Sequence, residues 1–433
     1  MPQQYLTAKE VTRELGISFG TLYSYVSRGL IRSEETNGQT RHKRYSAEDV
    51  AALRNRRERR RNPTTSAATA LDFGDPVLES AVTLIQDGQL YYRGQLATDL
   101  ARRQSAETVA GLLWNNNLTP ELTPLPAHST VMRTMLQTLL PALPATLTPV
   151  ERFHVLLPVA ESQDLAAHEK TPAAVCRTAG RIYALFITAL TGKSPSPHHG
   201  LADHLAAWAQ TSRANPAHPG ARDADTAITE LFNAALILCA DHELNVSSFT
   251  ARCVASTGAT PYGAVAAALA ALQGPRHGGD AARCEALLRE AQVNPRQALA
   301  AWLRRGERLP GFGHRLYPDG DPRATFLLDL MRRHHAAAED DLFQSTTPAA
   351  SLMHAIDRLI DEVQATFGLH PTIDMALATL ALTCQLPPGA SLSIFTAGRV
   401  LGWFAHILEQ YQSDVLIRPR ARYAGPQSPP DRD

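Results

Sequence analysis

Apolar residues recur at helical spacing along most of this chain, as in Ala224–Leu238, Pro261–Leu272 and Ser393–Gln410. Alternating β-branched runs are nearly absent. Residues 70–433 therefore read as an almost wholly α-helical body, with Pro-Pro and Gly-Pro breaks between short helices. Two stretches carry no charge, Cys253–Pro275 and Met375–Gly398. Each is interrupted, at Pro261–Gly263 and at Pro387–Gly389, whereas a membrane span needs about 20 uninterrupted apolar residues. They are expected to be buried helices of a large soluble protein with no membrane partner.

The first 62 residues are patterned differently. Thr7-Ala-Lys-Glu10 is a capping box: the Thr7 hydroxyl meets an amide in the first turn while Glu10 reaches back. The helix it starts buries Val11 and Leu15. Gly16-Ile-Ser18 turns the chain, and Ser18 caps a second helix through Leu22, Tyr25 and Val26, which Gly29 ends. Asn37-Gly38 is a hairpin signal, since both positions tolerate positive φ. Tyr45 follows. Ser46-Ala-Glu-Asp49 then resembles a second capping box and opens a helix toward Arg54–Arg61.

Composition sharpens this division. The 433 residues hold 42 Lys+Arg and 42 Asp+Glu, which excludes a bulk polycation or a polyacidic solvating chain. Residues 1–62, however, hold 13 and 7, a balance of +6, and the remainder holds 29 and 35, a balance of −6. A small basic module (residues 1–62) precedes a mildly acidic body. Between them Asn62–Ala70 is small, polar and uncharged, and residues 63–72 are expected to be a linker. Cys176, Cys239, Cys253, Cys284 and Cys384 are scattered, with no C-x-x-C pair. Reduced cytoplasmic thiols are expected, with neither a disulfide framework nor a metal site. Met1 to Glu14 has no apolar core of a signal peptide. No glycine-rich phosphate loop or nucleotide fingerprint occurs, so no bound cofactor is expected.

Three polar clusters interrupt the apolar body. Asp241-His-Glu-Leu-Asn245 reads as lying inside an Ala-rich helix. Gly274-Pro-Arg-His-Gly-Gly279 and Leu309-Pro-Gly-Phe-Gly-His-Arg315 each set a histidine among glycines, with Asp321-Pro-Arg323 following the second. Glycines let backbone approach a ligand and free the imidazole from neighbouring side chains. In His370-Pro-Thr-Ile-Asp374 a lone carboxylate precedes a charge-free stretch. Desolvation there would raise its pKa and suit a general base, although an acid at a helix N-terminus explains the same pattern.

Helix, tight turn, helix, wing and helix over residues 5–60 resemble the winged helix-turn-helix module of the MerR and excisionase type. The resemblance rests on Tyr5-Leu-Thr-Ala-Lys-Glu-Val11, Leu15-Gly-Ile-Ser18, Leu22–Ile31 and Arg44–Val50. It implies that the second helix enters the major groove of double-stranded DNA and the wing meets phosphate. Ser18, Thr21, Tyr23, Ser24 and Arg28 would then face DNA, with Arg41, Lys43 and Arg44 on the wing. Arg54–Arg61 is equally readable as a solvated helix end, and the whole module as a protein-docking domain.

Residues 75–430 resemble citrate synthase, including its 2-methylcitrate synthase branch. The matching runs are Leu90-Tyr-Tyr-Arg-Gly94, Cys239–Ser247, Gly274–Gly279, Pro310–Arg315 with Asp321–Arg323, Pro371–Asp374, Arg399–His406 and Leu416–Arg420. The resemblance implies a mainly α fold, with a large domain over 73–277 and 389–433 and a small domain over 278–388. It implies a homodimer that condenses acetyl-CoA or propionyl-CoA with oxaloacetate. Asp374 would take a proton from the acyl α-carbon, His277 would hydrogen-bond the thioester oxygen, and His314 would polarise the ketone and protonate the alkoxide. His242, Arg323, Arg399 and, from the partner subunit, Arg418 would hold the oxaloacetate carboxylates. Pro310, Gly311, Gly313 and Arg315 would contact CoA, and hydrolysis of the condensed thioester would release the CoA thiol.

Several positions depart from that pattern. Cys239 stands for the usual His, Arg276 for Leu, Asp280-Ala281 for Ala-Asn, Pro318 for a basic residue, and Met375 for an aromatic. Asp280 near His277 is expected to favour imidazolium, with Arg276 opposing it. Alternatively, the body is a sensor of dicarboxylate or acyl-CoA serving a transcription regulator. Such a sensor needs the arginines but has no use for a base at Asp374.

Overall fold

In the computed structural model, residues 5–35, 43–47, 49–50, 53, 78–122, 124–212, 221–339, 348–421 and 423–425 are described. The chain divides into two compact units, Met1–Glu79 and Ser80–Asp433.

In the first unit, helix Ala8–Leu15 starts at the Thr7–Glu10 capping box, which closes in both directions. Gly16 at φ 58° ends it. Ser18 caps helix Phe19–Ser27 through the Thr21 amide. Strand Lys43–Ser46 lies between Tyr5–Thr7 and Ser33–Glu35, antiparallel to both. Val11, Leu15, Leu22, Ile31, Tyr45 and Val50 form its core. The second capping box closes only halfway. The Asp49 amide donates to Ser46 Oγ, but the Asp49 carboxylate turns to Arg32, accepting its backbone N–H at 2.7 Å and both arms of its guanidinium at 3.0 Å. An arginine fork outcompetes one backbone amide for a carboxylate. The Asn37-Gly38 turn, the 63–72 linker and Arg54–Arg61 lie outside the described residues.

The second unit opens with a small sheet that the helical reading did not anticipate. Strands Thr83–Gln86 and Gln89–Tyr92 pair around Asp87-Gly88, and Gln95–Leu96 adds a third strand. Asp87 at φ 51° and Gly88 at φ 71° give the turn that matches strand twist. The hairpin anchors the body. Tyr92 donates its hydroxyl to the Ile237 carbonyl at 2.9 Å, and Arg93 reaches the Leu113 carbonyl at 2.9 Å.

Helices make up the rest, packed on one continuous core. Helix Ala390–Ser413 runs through its centre, against Ala106–Asn115, Pro172–Thr191, Ala221–Cys239, Val246–Ser256, Pro261–Leu272 and Ile373–Thr383. Two glycines let it cross Ala221–Cys239 closely. A Cβ at Gly398 would stand 2.6 Å from the Leu236 carbonyl oxygen, and one at Gly402 would run into the Ala240 carbonyl. Instead the Gly402 amide donates to Ala240 O at 3.0 Å. Pro172–Thr191 and Ala390–Ser413 are long and apolar enough to cross a membrane, and both are mostly buried inside this body. The two charge-free stretches form helix pairs broken where the sequence predicted, before Pro261 and around Pro387–Gly389.

Candidate active site

The Asp241–Asn245 cluster is a loop rather than helix interior. Helix Ala221–Cys239 stops just before it, and Asn245 caps Val246–Ser256, its Oδ1 accepting the Ser247 and Ser248 amides at 3.1 Å. Asp241 is fully buried and accepts from Thr83 Oγ1 (2.6 Å), His406 Nε2 (3.2 Å) and Ser248 Oγ (3.2 Å). Burial opposes its charge, but His406, Arg399 and these bonds outweigh burial and hold its carboxyl below the usual range. So anchored, the loop presents His242, whose Nε2 lies 3.1 Å from the Tyr317 hydroxyl and whose ring meets His314 edge-on at 5.2 Å. Burial, then Arg323 and Arg399, push the His242 pKa well down.

His314 comes from the glycine loop at 309–314. Gly311 and Gly313 sit at φ 75° and 76°, conformations that favour glycine. This loop zips onto residues 370–372: Gly313 N donates to His370 O (2.9 Å) and Thr372 N to Gly311 O (2.8 Å). His314 is thereby carried beside the start of helix Ile373–Thr383. Its Nδ1 accepts the Leu316 amide at 3.1 Å. An amide only donates, so the neutral ring carries its proton on Nε2. Burial and Arg323 push its pKa down to about 4, so the neutral form holds at neutral pH.

His277 lies in the tight turn before helix Asp280–Val293. Gly278 and Gly279 are needed there, since a Cβ on either would stand 2.8 Å from the Leu272 carbonyl oxygen or from Pro275 Cα. Its Nε2 is 3.0 Å from Ser247 Oγ, which also takes the Trp403 indole N–H at 3.1 Å. The Ser247 hydroxyl has one proton, with Asn245 Oδ1 at 2.8 Å competing for it. Given to His277, that proton makes Nε2 an acceptor and leaves Nδ1–H as a donor. Burial, then Arg399, push His277 down to about 4.

Asp374 occupies the first turn of Ile373–Thr383. Thr372 Oγ1 donates to its Oδ2 at 3.4 Å. Both sequence readings meet here, and the larger effect wins. A helix N-terminus favours the carboxylate, yet burial, then the Asp280 charge, push its pKa up to about 6.

Two buried arginines complete the cluster. Arg323 forks onto Asp321 at 2.9 and 2.8 Å, and Asp321 also accepts the Ile373 amide at 3.0 Å. Arg399 donates Nε to the Cys239 carbonyl at 2.8 Å and lies over the Phe395 ring at 4.8 Å. Its Nη1 is buried with no acceptor among the described residues. An unpaired buried donor costs about 1–3 kcal/mol, so a ligand anion is favoured there. Cys239 is buried and its thiol is pushed up to about 12, chiefly by burial, so it stays neutral. Among the described residues no group of His, Cys, Asp and Glu could hold a metal ion.

The other expected site residues differ in exposure. Pro310 and Gly311 are buried, Gly313 is partly buried, and Arg315 is exposed. Arg418 is exposed on the tail beyond Ser413, outside the hydrogen-bonded cluster. In the first unit Ser18 and Thr21 are committed to capping, their hydroxyls 3.0 Å apart. Tyr23 is 57% exposed and Phe19, which the sequence reading passed over, 47%. Arg28, Lys43 and Arg44 are exposed, Ser24 is partly buried, and Arg41 is outside the described residues.

A neutral donor histidine, a second histidine, a carboxylate of raised pKa and two buried arginines thus converge within one helical body. The sequence profile of the citrate synthase C-terminal domain matches residues 73–420. The chain belongs to the citrate synthase family. Citrate synthase 2 of Bacillus subtilis is 39% identical over 199 residues, which is 46% of this chain and only 51% of that relative's length. The 2-methylcitrate synthase of Mycobacterium tuberculosis is 31% identical over 360 residues, covering 78% of this chain and 86% of that protein. The crystal structure of citrate synthase from Thermotoga maritima superposes with a TM-score of 0.62 at 25% identity, over 82% of this chain and 95% of that one. Residues 6–62 match the profile of MerR helix-turn-helix regulatory proteins.

Within this citrate synthase body a further expectation fails. Neither Asp280 nor Arg276 acts on His277, whose pKa answers to burial and Arg399. Arg276 is exposed. The Asp280 carboxylate points to the Gly311 amide and Arg308 at 3.3 Å, and to Arg283 at 3.5 Å, and bears on Asp374 instead. Sequence reasoning also gave no role to Ser247, Tyr317, Asp321 or Phe395. Ser247 and Asp321 stood inside motifs already singled out; Tyr317 and Phe395 carried no signal beyond their aromatic character.

Proposed function

We propose that the body condenses acetyl-CoA or propionyl-CoA with oxaloacetate, giving citrate or 2-methylcitrate and CoA. The observation that carries this reading is Asp374: a carboxylate with its pKa at about 6, on a shared cluster with neutral His277 and His314. Asp374 takes a proton from the acyl α-carbon. With the Ser247 hydroxyl turned to its Nε2, His277 donates Nδ1–H to the thioester oxygen as negative charge gathers there. The enolate carbon attacks the oxaloacetate ketone, which His314 polarises through Nε2–H and whose alkoxide it then protonates. Arg399, with its unpaired Nη1, Arg323 and His242 hold the dicarboxylate. Water cleaves the resulting thioester and frees the CoA thiol.

In this reading the protein is a homodimer. The exposed Arg418 of the partner subunit reaches oxaloacetate, and the segment 278–388 closes over 73–277 and 389–433 to exclude water. All five cysteines are free thiols, which suits a reducing cytoplasm. A dicarboxylate sensor would use the arginines but has no need of a base poised like Asp374. Thiol release from each acyl-CoA with oxaloacetate tests the reading. Release is expected to rise with pH through about 6 as Asp374 ionises. No release from either thioester would sink it.

We further infer that residues 6–62 bind double-stranded DNA, supported by the exposed Tyr23, Arg28, Lys43 and Arg44 around a helix-turn-helix core. Fluorescence anisotropy of the full-length protein on mixed duplex DNA is expected to show binding that weakens steeply with salt and falls on Arg44→Ala. Binding indifferent to both would point to a protein partner.

A further inference from the structure

Asp280 is an acid where the family pattern noted above has alanine, and its position ties it to three parts of the site. It opens helix Asp280–Val293, and its amide donates to the His277 carbonyl at 3.3 Å. Its Oδ2 accepts the Gly311 amide at 3.3 Å. The Gly311 carbonyl in turn accepts the Thr372 amide at 2.8 Å, and the Thr372 hydroxyl donates to Asp374 at 3.4 Å. A single residue, Gly311, thus links Asp280 to the residue that holds Asp374. A Cβ on Gly311 would meet Cys284 Sγ at 2.7 Å and Met375 Cε at 2.9 Å, so the Gly311 backbone is tightly packed here against both side chains.

We propose that Asp280 is a positioning residue, joined to Arg308 as a charge pair, which docks the His277 turn on the Gly311 loop and sets a negative charge behind Asp374. Two carboxylates close together resist being ionised at once. Two cations contact Asp280: Arg283, from its own helix, and Arg308, from the loop that leads into Gly311. Arg283 is shared with Glu307, which also binds Arg305. The other charges facing Asp374 are Arg323 and Asp321, which neutralise each other as a fork. Of these charges Asp280 bears most on Asp374, and Arg308 moderates it. The consequence is a stronger base at Asp374 than its buried position alone would supply, matched more closely to the weak acidity of a thioester α-carbon.

This inference rests on Asp374 being the base, and its test is separable from that reading. The full-length protein is labelled with ¹³C at aspartate carboxyls, and the Asp374 signal is assigned by its loss in Asp374→Asn. Its titration is then followed in Asp280→Asn and in Arg308→Gln, the latter at an exposed side chain. Asp280→Asn keeps an acceptor for Gly311 and removes the charge. It is expected to move the Asp374 midpoint down by about 0.5–1 pH unit. Arg308→Gln removes the moderating cation and is expected to move it up. The acid limb of thiol release should follow each midpoint. Midpoints that stay put, or that move in the same direction in both variants, overturn the proposal and leave Asp280 a structural link only. Opposite movements in a protein that releases no thiol would uphold this charge coupling and sink the catalytic reading.

Discussion

Asp374→Asn is expected to lower thiol release by about 10²–10⁴-fold, the range for loss of a positioned general base. The same change is expected to stabilise the fold above pH 6. Burial raises the folded-state pKa of Asp374 from its ordinary 3.8 to about 6. The stability gained by the protonated form is complete below the ordinary value and is lost as pH rises through about 6. Above that the native state carries a carboxylate that burial and Asp280 disfavour, and Asn relieves it. Urea unfolding on either side of pH 6, run beside the thiol assay, checks both halves. Near wild-type release, or an equal stability change at both pH values, would contradict this account of the site. An active-site group that costs the fold stability is what a base tuned by burial entails.

Arg323→Met should do the reverse and destabilise by about 3–5 kcal/mol, because it strands Asp321 as a buried unpaired charge. Asp321 is 1% exposed and also holds the Ile373 amide, so its displacement would loosen the first turn that carries Asp374. The double variant Arg323→Met, Asp321→Asn should recover part of the loss, since Asn can still accept from Ile373. Arg399→Met offers the contrast. Among the described residues Arg399 shares its fork with no carboxylate and makes one bond to a carbonyl. Its loss should cost less stability, while removing the stabilisation that oxaloacetate gives the wild type. Denaturant midpoints with and without oxaloacetate separate the two arginines. Equal losses in both variants would mean that the Arg323–Asp321 fork adds no more than a surface pair.

The helical body and most of the cluster were legible because glycine and proline leave marks that do not depend on distant contacts. Glycines around His277 and His314 signalled close backbone approach, and Pro371 signalled the start of the Asp374 helix. The hairpin at 83–92 was legible too, in Asp87-Gly88, but its strands are four residues each and too short to show alternation. The Asp241–Asn245 loop was misread because alanines run up to its edge. Asn245 with its following serines was the available cap signal. Asp280 was assigned to the wrong neighbour for a geometric reason. It is three residues from His277 along the chain, but the helix it opens aims its carboxylate at Gly311. Direction of this kind is a tertiary property, as are the Ser247–His277 contact across 30 positions and the Asp321–Ile373 contact across 52.

The helix Ala390–Ser413 has a consequence for how the protein is made. The helices it packs against all precede it in the chain. During synthesis consecutive pairs such as Val246–Ser256 with Pro261–Leu272 can already pack, but the faces they turn to this helix stay bare. The Trp114 indole and Tyr183 hydroxyl, which end on carbonyls of that helix at 2.8 Å, wait for acceptors not yet translated. Closing the core before the helix arrives is therefore futile, and a ribosome stalled before residue 390 holds an adhesive, unfinished body. The order of translation makes this element a late keystone of the core.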